Sequence, residues 1–292
     1  MKEVMVRVPG SCGEFIQGFY EQKPCLVSCP VDLYAFARIA QEDASTQLNP
    51  KSQRLVEIIL DKYKLSPEKL KTLHIGMQTE IPFEKGMASS TADLTAVGSA
   101  LSIYFDLDIE PNTMATLCVE VEPTDSVMFQ KTVLFDHVHG EVLKEYKGSP
   151  EGNMIIIDFK GGVNTLGFHG QSSTCSHEEQ KRFNKVLATF EKGLEEENMY
   201  LVGEACTASA RLNQKIIYKP HLEPLIKLSE TCKGYGVVTG HSGTVIGVMY
   251  EEQQFDYEKF MQEFVKIIPK KSYEALYFKK IVSGGTEIIV HK

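Results

Sequence analysis

Residues 82–93 read PFEKGMASSTAD, and the reading of this stretch decides how the rest of the chain is understood. Pro82 and Gly86 mark a turn, small residues follow, and hydroxyl groups stand at the start of a helical pattern. From Ser90 onward Leu94, Val97, Leu101, Tyr104 and Phe105 recur at helical spacing, with Ala92, Ala96, Ser99 and Ala100 on another face. A glycine-bearing turn that opens a helix exposes backbone N–H groups at the positive end of the helix dipole, which is a place for an anion. Small side chains let phosphate oxygens reach the backbone, and Ser89, Ser90 and Thr91 could bond a phosphate or hold Mg²⁺. The plain alternative is an N-capped helix after a loop. The usual phosphate loop, GxxxxGK[ST], is absent from the chain.

Working outward, Val4–Val8 reads as a strand broken at Pro9-Gly10, and Cys25–Ile39 as one or two strands around Pro30. Leu55–Tyr63 has a helical pattern, and Leu73–Gln78 is strand-like. Asn112–Val121 reads as a helix capped by Asn112. Val133–Phe135 and Val142–Tyr146 are short strands. KGSPEGN, residues 147–153, has the composition of a linker and sets a boundary between units 1–150 and 151–292. The second unit reads as strand Met154–Phe159, helices at His177–Glu197, Val202–Leu212 and Leu222–Cys232, strands Gly236–Thr239 and Thr244–Tyr250, helix Tyr257–Ile268, and strands Phe278–Val282 and Glu287–Val290. Interleaved strands and helices in both units give an α+β or α/β class.

Three other segments carry polar groups in suggestive places. EVEPTDSVMF (residues 120–129) offers Glu120, Glu122 and Asp125, where one carboxylate could hold a hard cation and another accept a hydroxyl proton. The alternative is a helix end with solvated acids. GYGVVTGHSGTVIGVM (residues 234–249) places His241, Ser242, Gly243 and Thr244 in a glycine-rich loop between strands; a permissive hairpin turn is the alternative. VRVPGSCGEFIQG (residues 6–18) ends a strand with Glu14 and Gln17, polar groups suited to reading a small substrate, or forming an ordinary connection.

The composition limits the partners. The 292 residues carry 31 basic and 39 acidic groups, a net −8, which argues against bulk nucleic-acid binding. At 42% hydrophobic and 24% charged the chain is globular. The start lacks the basic region and long apolar core of a signal peptide, and no apolar stretch approaches bilayer length. Seven scattered cysteines without a CxxC pair argue against a disulfide scaffold or zinc ribbon and fit a reducing, cytoplasmic setting.

The order of these segments resembles the GHMP family of small-molecule kinases. The family signature P-x-x-x-G-L-x-S-S-A is matched from Pro82 to Ala92, with Met87 in place of Leu and Thr91 inserted before Ala92. The variants SCGEFIQG, VSCPVDLY, GMASSTAD, EPTDS and GHSGTV look most like those of the branch that phosphorylates L-threonine for cobalamin side-chain synthesis. The resemblance implies a ribosomal-S5-like N-terminal domain, a ferredoxin-like C-terminal domain and an ATP site in the cleft between them. It implies phosphate contacts from Pro82, Glu84, Lys85, Gly86, Met87, Ala88, Ser89, Ser90 and Thr91, with Lys85 as a point charge. It implies Mg²⁺ on Ser90 and Glu122, with Glu120 as rival, and Asp125 as general base. Glu14 and Gln17 would face the substrate, Asp32 would support the same pocket, and His241 to Thr244 would face the phosphate loop. Arg211 or Ser242 would serve the substrate carboxylate. Homoserine or another alcohol as acceptor, a ligand sensor that has lost catalysis, and a metal hydrolase built on His137 and His139 are the competing readings.

Overall fold

The computed structural model describes residues 2–42, 48–161, 175–241 and 243–292. Its frame is a pair of long antiparallel strands, β1 (Glu3–Tyr20) and β2 (Lys23–Ala40). The expected break at Pro9-Gly10 does not end the first strand. The chain runs on through register shifts after Pro9, Ser11 and Glu14. These irregularities absorb a proline that cannot donate and a glycine, Gly13, at φ +63°. Pro30 likewise leaves β2 continuous.

Helix α1 (Pro50–Lys62) follows, then β3 (His74–Thr79), α2 (Ser89–Tyr104) and α3 (Pro111–Val119). Asn112 does not cap α3. Glu110 holds the N-cap position and Pro111 opens the helix, where its missing N–H costs nothing. Strands β4 (Val133–Asp136), β5 (Glu141–Glu145) and β6 (Asn153–Phe159) come next, then α4 (His177–Glu195), α5 (Met199–Asn213) and α6 (Leu222–Thr231). The chain closes with β7 (Gly236–Thr239), β8 (Ile246–Tyr250), α7 (Tyr257–Ile267), β9 (Tyr273–Lys280) and β10 (Glu287–His291).

Among the described residues the strands form one sheet in the order β5-β4-β2-β1-β7-β8-β6-β9, with β10 on β1 and β3 on β2. Segments before and after residue 150 meet along β1, which pairs with β7 at Glu14–Thr239 and with β10 from Val4 to Arg7, and again at a bridge between Val31 and Ile281. Helix α2 packs on β1 and β2 and is buried almost all round, from Thr91 to Leu101 except Ser99, because α1 and α3 cover its outer side. Its all-round apolar character is what such a sandwiched helix requires. The larger core cluster runs from Val4 to Ile281 and takes residues from both sides of residue 150; a smaller one gathers Phe260, Phe264 and the α6 leucines under β6 and β8. All seven cysteines are free thiols, and among the described residues no helix is long and apolar enough to cross a membrane.

Candidate active site

The loop joining β3 to α2 is shaped to present its backbone. Positive φ angles occur at every second residue, Glu84 (60°), Gly86 (75°) and Ala88 (57°). Two of these are non-glycine residues in a conformation that costs about 1 kcal/mol or more each. Alternation of this kind turns successive N–H groups to one side and forms an anion-binding concavity. Ala88 is the N-cap of α2 and no side chain caps the helix, so its first N–H groups remain available to a ligand. Met87 itself is buried core, so its part in any phosphate contact is confined to the backbone.

Close backbone approach holds this loop in place. Met87 O accepts from Ser11 N at 2.9 Å, and Lys85 O accepts from Thr244 N at 3.1 Å. A Cβ at Gly243 would sit 1.9 Å from Lys85 O, so only glycine lets the β7–β8 loop meet the β3–α2 loop. Gly243 and Thr244 therefore lie against the β3–α2 loop; Ser242 lies outside the described residues.

Three side-chain clusters surround this meeting point. In the first, Ser90 Oγ donates to Glu122 Oε1, and Lys51 Nζ reaches both Glu122 Oε2 at 2.7 Å and Ser90 Oγ at 3.3 Å. Glu120 is exposed on the helix end. Lys51 had no signal in the sequence. It is carried by the first turn of α1, whose cap Asn49 accepts from Ser52 N at 2.8 Å and donates to Asp93 of α2 at 3.3 Å. Burial pushes the Asp93 carboxyl up to about 6. Ser90 and Glu122 are hard oxygen donors in contact, which suits Mg²⁺, an ion commonly held by one or two protein oxygens plus phosphates. Among the described residues no group of three His, Cys, Asp or Glu could form a complete protein cage.

In the second cluster Thr91 is the hub. Its hydroxyl accepts from Asp125 N at 3.0 Å and from Thr124 Oγ1 at 2.9 Å. It also bonds the Asp125 carboxylate and favours its charged form, while burial and the neighbouring Glu122 charge push that carboxyl up to about 6. The Thr91 side chain is thus turned inward, where its hydroxyl fixes Asp125, which leaves only its backbone N–H to the concavity.

The third cluster sits on β1. Glu14 and Gln17 are both buried. The Gln17 amide nitrogen donates to Glu14 Oε2 at 3.4 Å and to Thr239 O at 3.3 Å. Both partners are acceptors, which fixes the amide orientation, so Gln17 Oε1 must accept from His241 Nδ1 at 2.7 Å and the imidazole carries its proton there. Burial first, then the Asp125 charge, pushes the Glu14 carboxyl well above its ordinary range; Lys219 and the His241 backbone N–H oppose the shift.

Several expected residues lie elsewhere. The Lys85 ammonium does not face the concavity. It is buried against Asp158 (2.9 Å), Glu274 (2.7 Å) and the carbonyls of Phe159 and Gly161, tying the loop to β6 and β9. Asp32 accepts from Lys280 N at 2.7 Å and serves the β2–β9 junction. Arg211 is paired with Glu223 at 2.9 Å on the surface. His139 bonds Asp136 at 2.8 Å, and Asp136 also accepts from the N–H groups of Val138 and His139, so the His-x-His pair belongs to a side-chain-capped turn.

The GHMP kinases N terminal domain matches residues 52–129, the span that holds the concavity, Ser90, Glu122 and Asp125. The L-threonine kinase of Citrobacter freundii is 31% identical over 97% of this chain and 99% of its own length. The chain belongs to the GHMP kinase family. The L-threonine kinase of Salmonella typhimurium is 29% identical over 97% of this chain and 95% of its own. Solved structures share the fold at lower identity. Homoserine kinase from Cytophaga hutchinsonii superposes with a TM-score of 0.70 at 14% identity, covering 98% of this chain and 97% of that one. Mevalonate-3-kinase from Thermoplasma acidophilum gives 0.68 at 12%, covering 100% and 99%. The GHMP kinase fold and the α+β class therefore hold for the whole chain, and the chain is a small-molecule kinase.

Proposed function

We propose that this GHMP kinase transfers the γ-phosphoryl group of ATP to the side-chain hydroxyl of L-threonine, giving O-phospho-L-threonine and ADP. The observation that carries the proposal is the convergence of an uncapped helix N-terminus and its backbone concavity with the buried Glu14 carboxylate beside Asp125, joined by Gly240 and Gly243, which pack against Gly13 and Gly86. Full-length similarity to two L-threonine kinases supports the choice of acceptor.

Each part has a role. The N–H groups of residues 86–91 cradle the phosphates; with a net charge of −8, bulk positive potential does not serve that purpose. Ser90 and Glu122 would hold Mg²⁺, which when bound neutralises charge on the transferred phosphate. Lys51, now on Glu122 and Ser90, lies within reach of the same phosphates. Glu14 accepts from the substrate ammonium, and a buried carboxylate is a strong partner for it. Gln17 and His241 hold Glu14 in place. Asp125 takes the hydroxyl proton as that oxygen bonds to phosphorus and the bond to the β-phosphate oxygen breaks. A base poised near 6 does this at neutral pH. Much of the rate comes from alignment of the hydroxyl with phosphorus. In this reading units 1–150 and 151–292 form the two walls of one site, and the motif likeness extends the role to supplying the cobalamin side chain.

The test is ADP release from ATP with threonine, serine, homoserine, mevalonate and galactose as acceptors. Threonine should give the highest kcat/KM. Strong turnover on the sugar or mevalonate alone would refute the amino-acid reading.

A further inference from the structure

Lys219 lies in the loop between α5 and α6, where no signature pointed. Its backbone is clamped by one side chain: Gln214 Oε1 accepts from Lys219 N at 2.6 Å and Gln214 Nε2 donates to Lys219 O at 3.0 Å. The residue is only 6% exposed. Among the described residues its ammonium has one acceptor, Gly240 O at 3.1 Å, and no carboxylate within ion-pair distance. A buried ammonium with three donors and one carbonyl is costly to keep, and such groups gather where a ligand supplies the missing charge.

Its setting points to the ligand. The carbonyl it bonds belongs to the same peptide group whose N–H, that of His241, bonds the Glu14 carboxylate. The carboxylate and the ammonium therefore stand at opposite ends of one peptide unit. Standard bond and hydrogen-bond lengths put them at most about 8 Å apart. An α-amino acid zwitterion bridges that span, with about 3 Å between its charged groups and a ~2.8 Å charge-assisted bond at each end. Glu14 and Asp125 are close enough to repel, so a hydroxyl one carbon beyond would meet the proposed base. Lys219 is drawn well below the usual lysine range by burial, to about 8, and still carries its proton at neutral pH.

Building on the proposed threonine phosphorylation, we infer that Lys219 binds the α-carboxylate of the substrate and, with Glu14 on the ammonium, selects α-amino acids over simple amino alcohols. This gives the carboxylate a donor in place of Arg211, which is paired with Glu223 on the surface.

The experiment compares threonine with 1-amino-2-propanol, which is threonine without its carboxylate, in the full-length enzyme and in Lys219→Met and Lys219→Arg. The expected result is a fall of about 10- to 100-fold in kcat/KM for threonine in Lys219→Met, the loss typical of hydrogen bonds to a charged group. The amino alcohol and ATP should change little, and Lys219→Arg should recover part of the threonine activity. An equal loss with both acceptors, or no loss with either, overturns the assignment. Should Lys219→Met fail to fold, threonine amide is tested as an inhibitor of the wild-type enzyme. Inhibition as strong as threonine's own binding overturns the role, and inhibition at least ~10-fold weaker upholds it. Wild-type turnover of threonine with an unaltered Lys219→Met sinks the lysine role alone. A wild-type enzyme that never phosphorylates threonine sinks the function itself, and the lysine role with it.

Discussion

Asp125→Asn separates chemistry from stability in one substitution. The Asp125 carboxyl is pushed from 3.8 up to about 6 by burial and by the Glu122 charge. The native state therefore binds this proton more tightly than the unfolded chain does. Below pH ~4 both states are protonated and the group has no net effect. Above pH ~6 both are ionised, and the native state carries the full cost of a poorly solvated charge. A shift of about 2 units corresponds to roughly 3 kcal/mol as an upper limit. Removing the charge should therefore raise the melting temperature at pH 8 by a few degrees, since each kcal/mol is worth about 2–4 °C in a chain of this size class. The gain should shrink as pH falls from 6 towards 4. Over the same variants kcat should drop about 10²- to 10⁴-fold, the contribution typical of a positioned base. The wild-type acid limb of the rate profile, near pH 6, should vanish. Thermal melts and steady-state kinetics between pH 4.5 and 8.5 read both effects. Near-normal turnover with the acid limb intact would remove Asp125 from the base role, and a lower melting temperature at pH 8 would refute the electrostatic argument.

Other substitutions probe the supports of this centre. Thr91→Val removes the hydroxyl that favours the charged carboxylate, so the acid limb should move to higher pH, measurable as a rightward shift of the kcat profile. Ser90→Ala should raise the Mg²⁺ concentration needed for half-maximal rate and cut kcat/KM for ATP by about 10-fold or more, with the melting temperature nearly unchanged because Ser90 is not in the core. Lys85→Met leaves Asp158 buried without its cation, so stability should fall by about 3–5 kcal/mol in denaturant titration, and adding Asp158→Asn should recover part of it.

The sequence was most informative where one local pattern decides the structure. The start of α2, read at Ser90 and observed at Ser89, the turn around Gly86 and the alternation in the later strands were legible because turn chemistry and periodicity act over a few residues. Pro9-Gly10 misled because bulges, which depend on the partner strand, let β1 continue for 18 residues. The pairings of Ser90 with Glu122 and of Gly243 with the β3–α2 loop follow the motif order, since both ends of each contact carry a recognisable pattern. Lys51 and Lys219 carry none. A lone lysine in a helix's first turn or a loop looks like any solvated lysine, and only the folded neighbourhood turns it towards the site. Lys85 shows the converse: its place in the motif suggested a phosphate contact, and carboxylates 73 and 189 positions away claimed its ammonium (158 minus 85, and 274 minus 85).

The central claim is the identity of the phosphorylated compound. Incubation of the purified chain with ATP, Mg²⁺ and L-threonine, followed by phosphorus NMR and mass spectrometry of the products, addresses it directly. O-phospho-L-threonine should form in equal amount with ADP, and the Asp125→Asn protein should form it about 10²- to 10⁴-fold more slowly. ADP with free phosphate and unmodified threonine, or phosphate transfer only to a non-amino-acid alcohol, would contradict it.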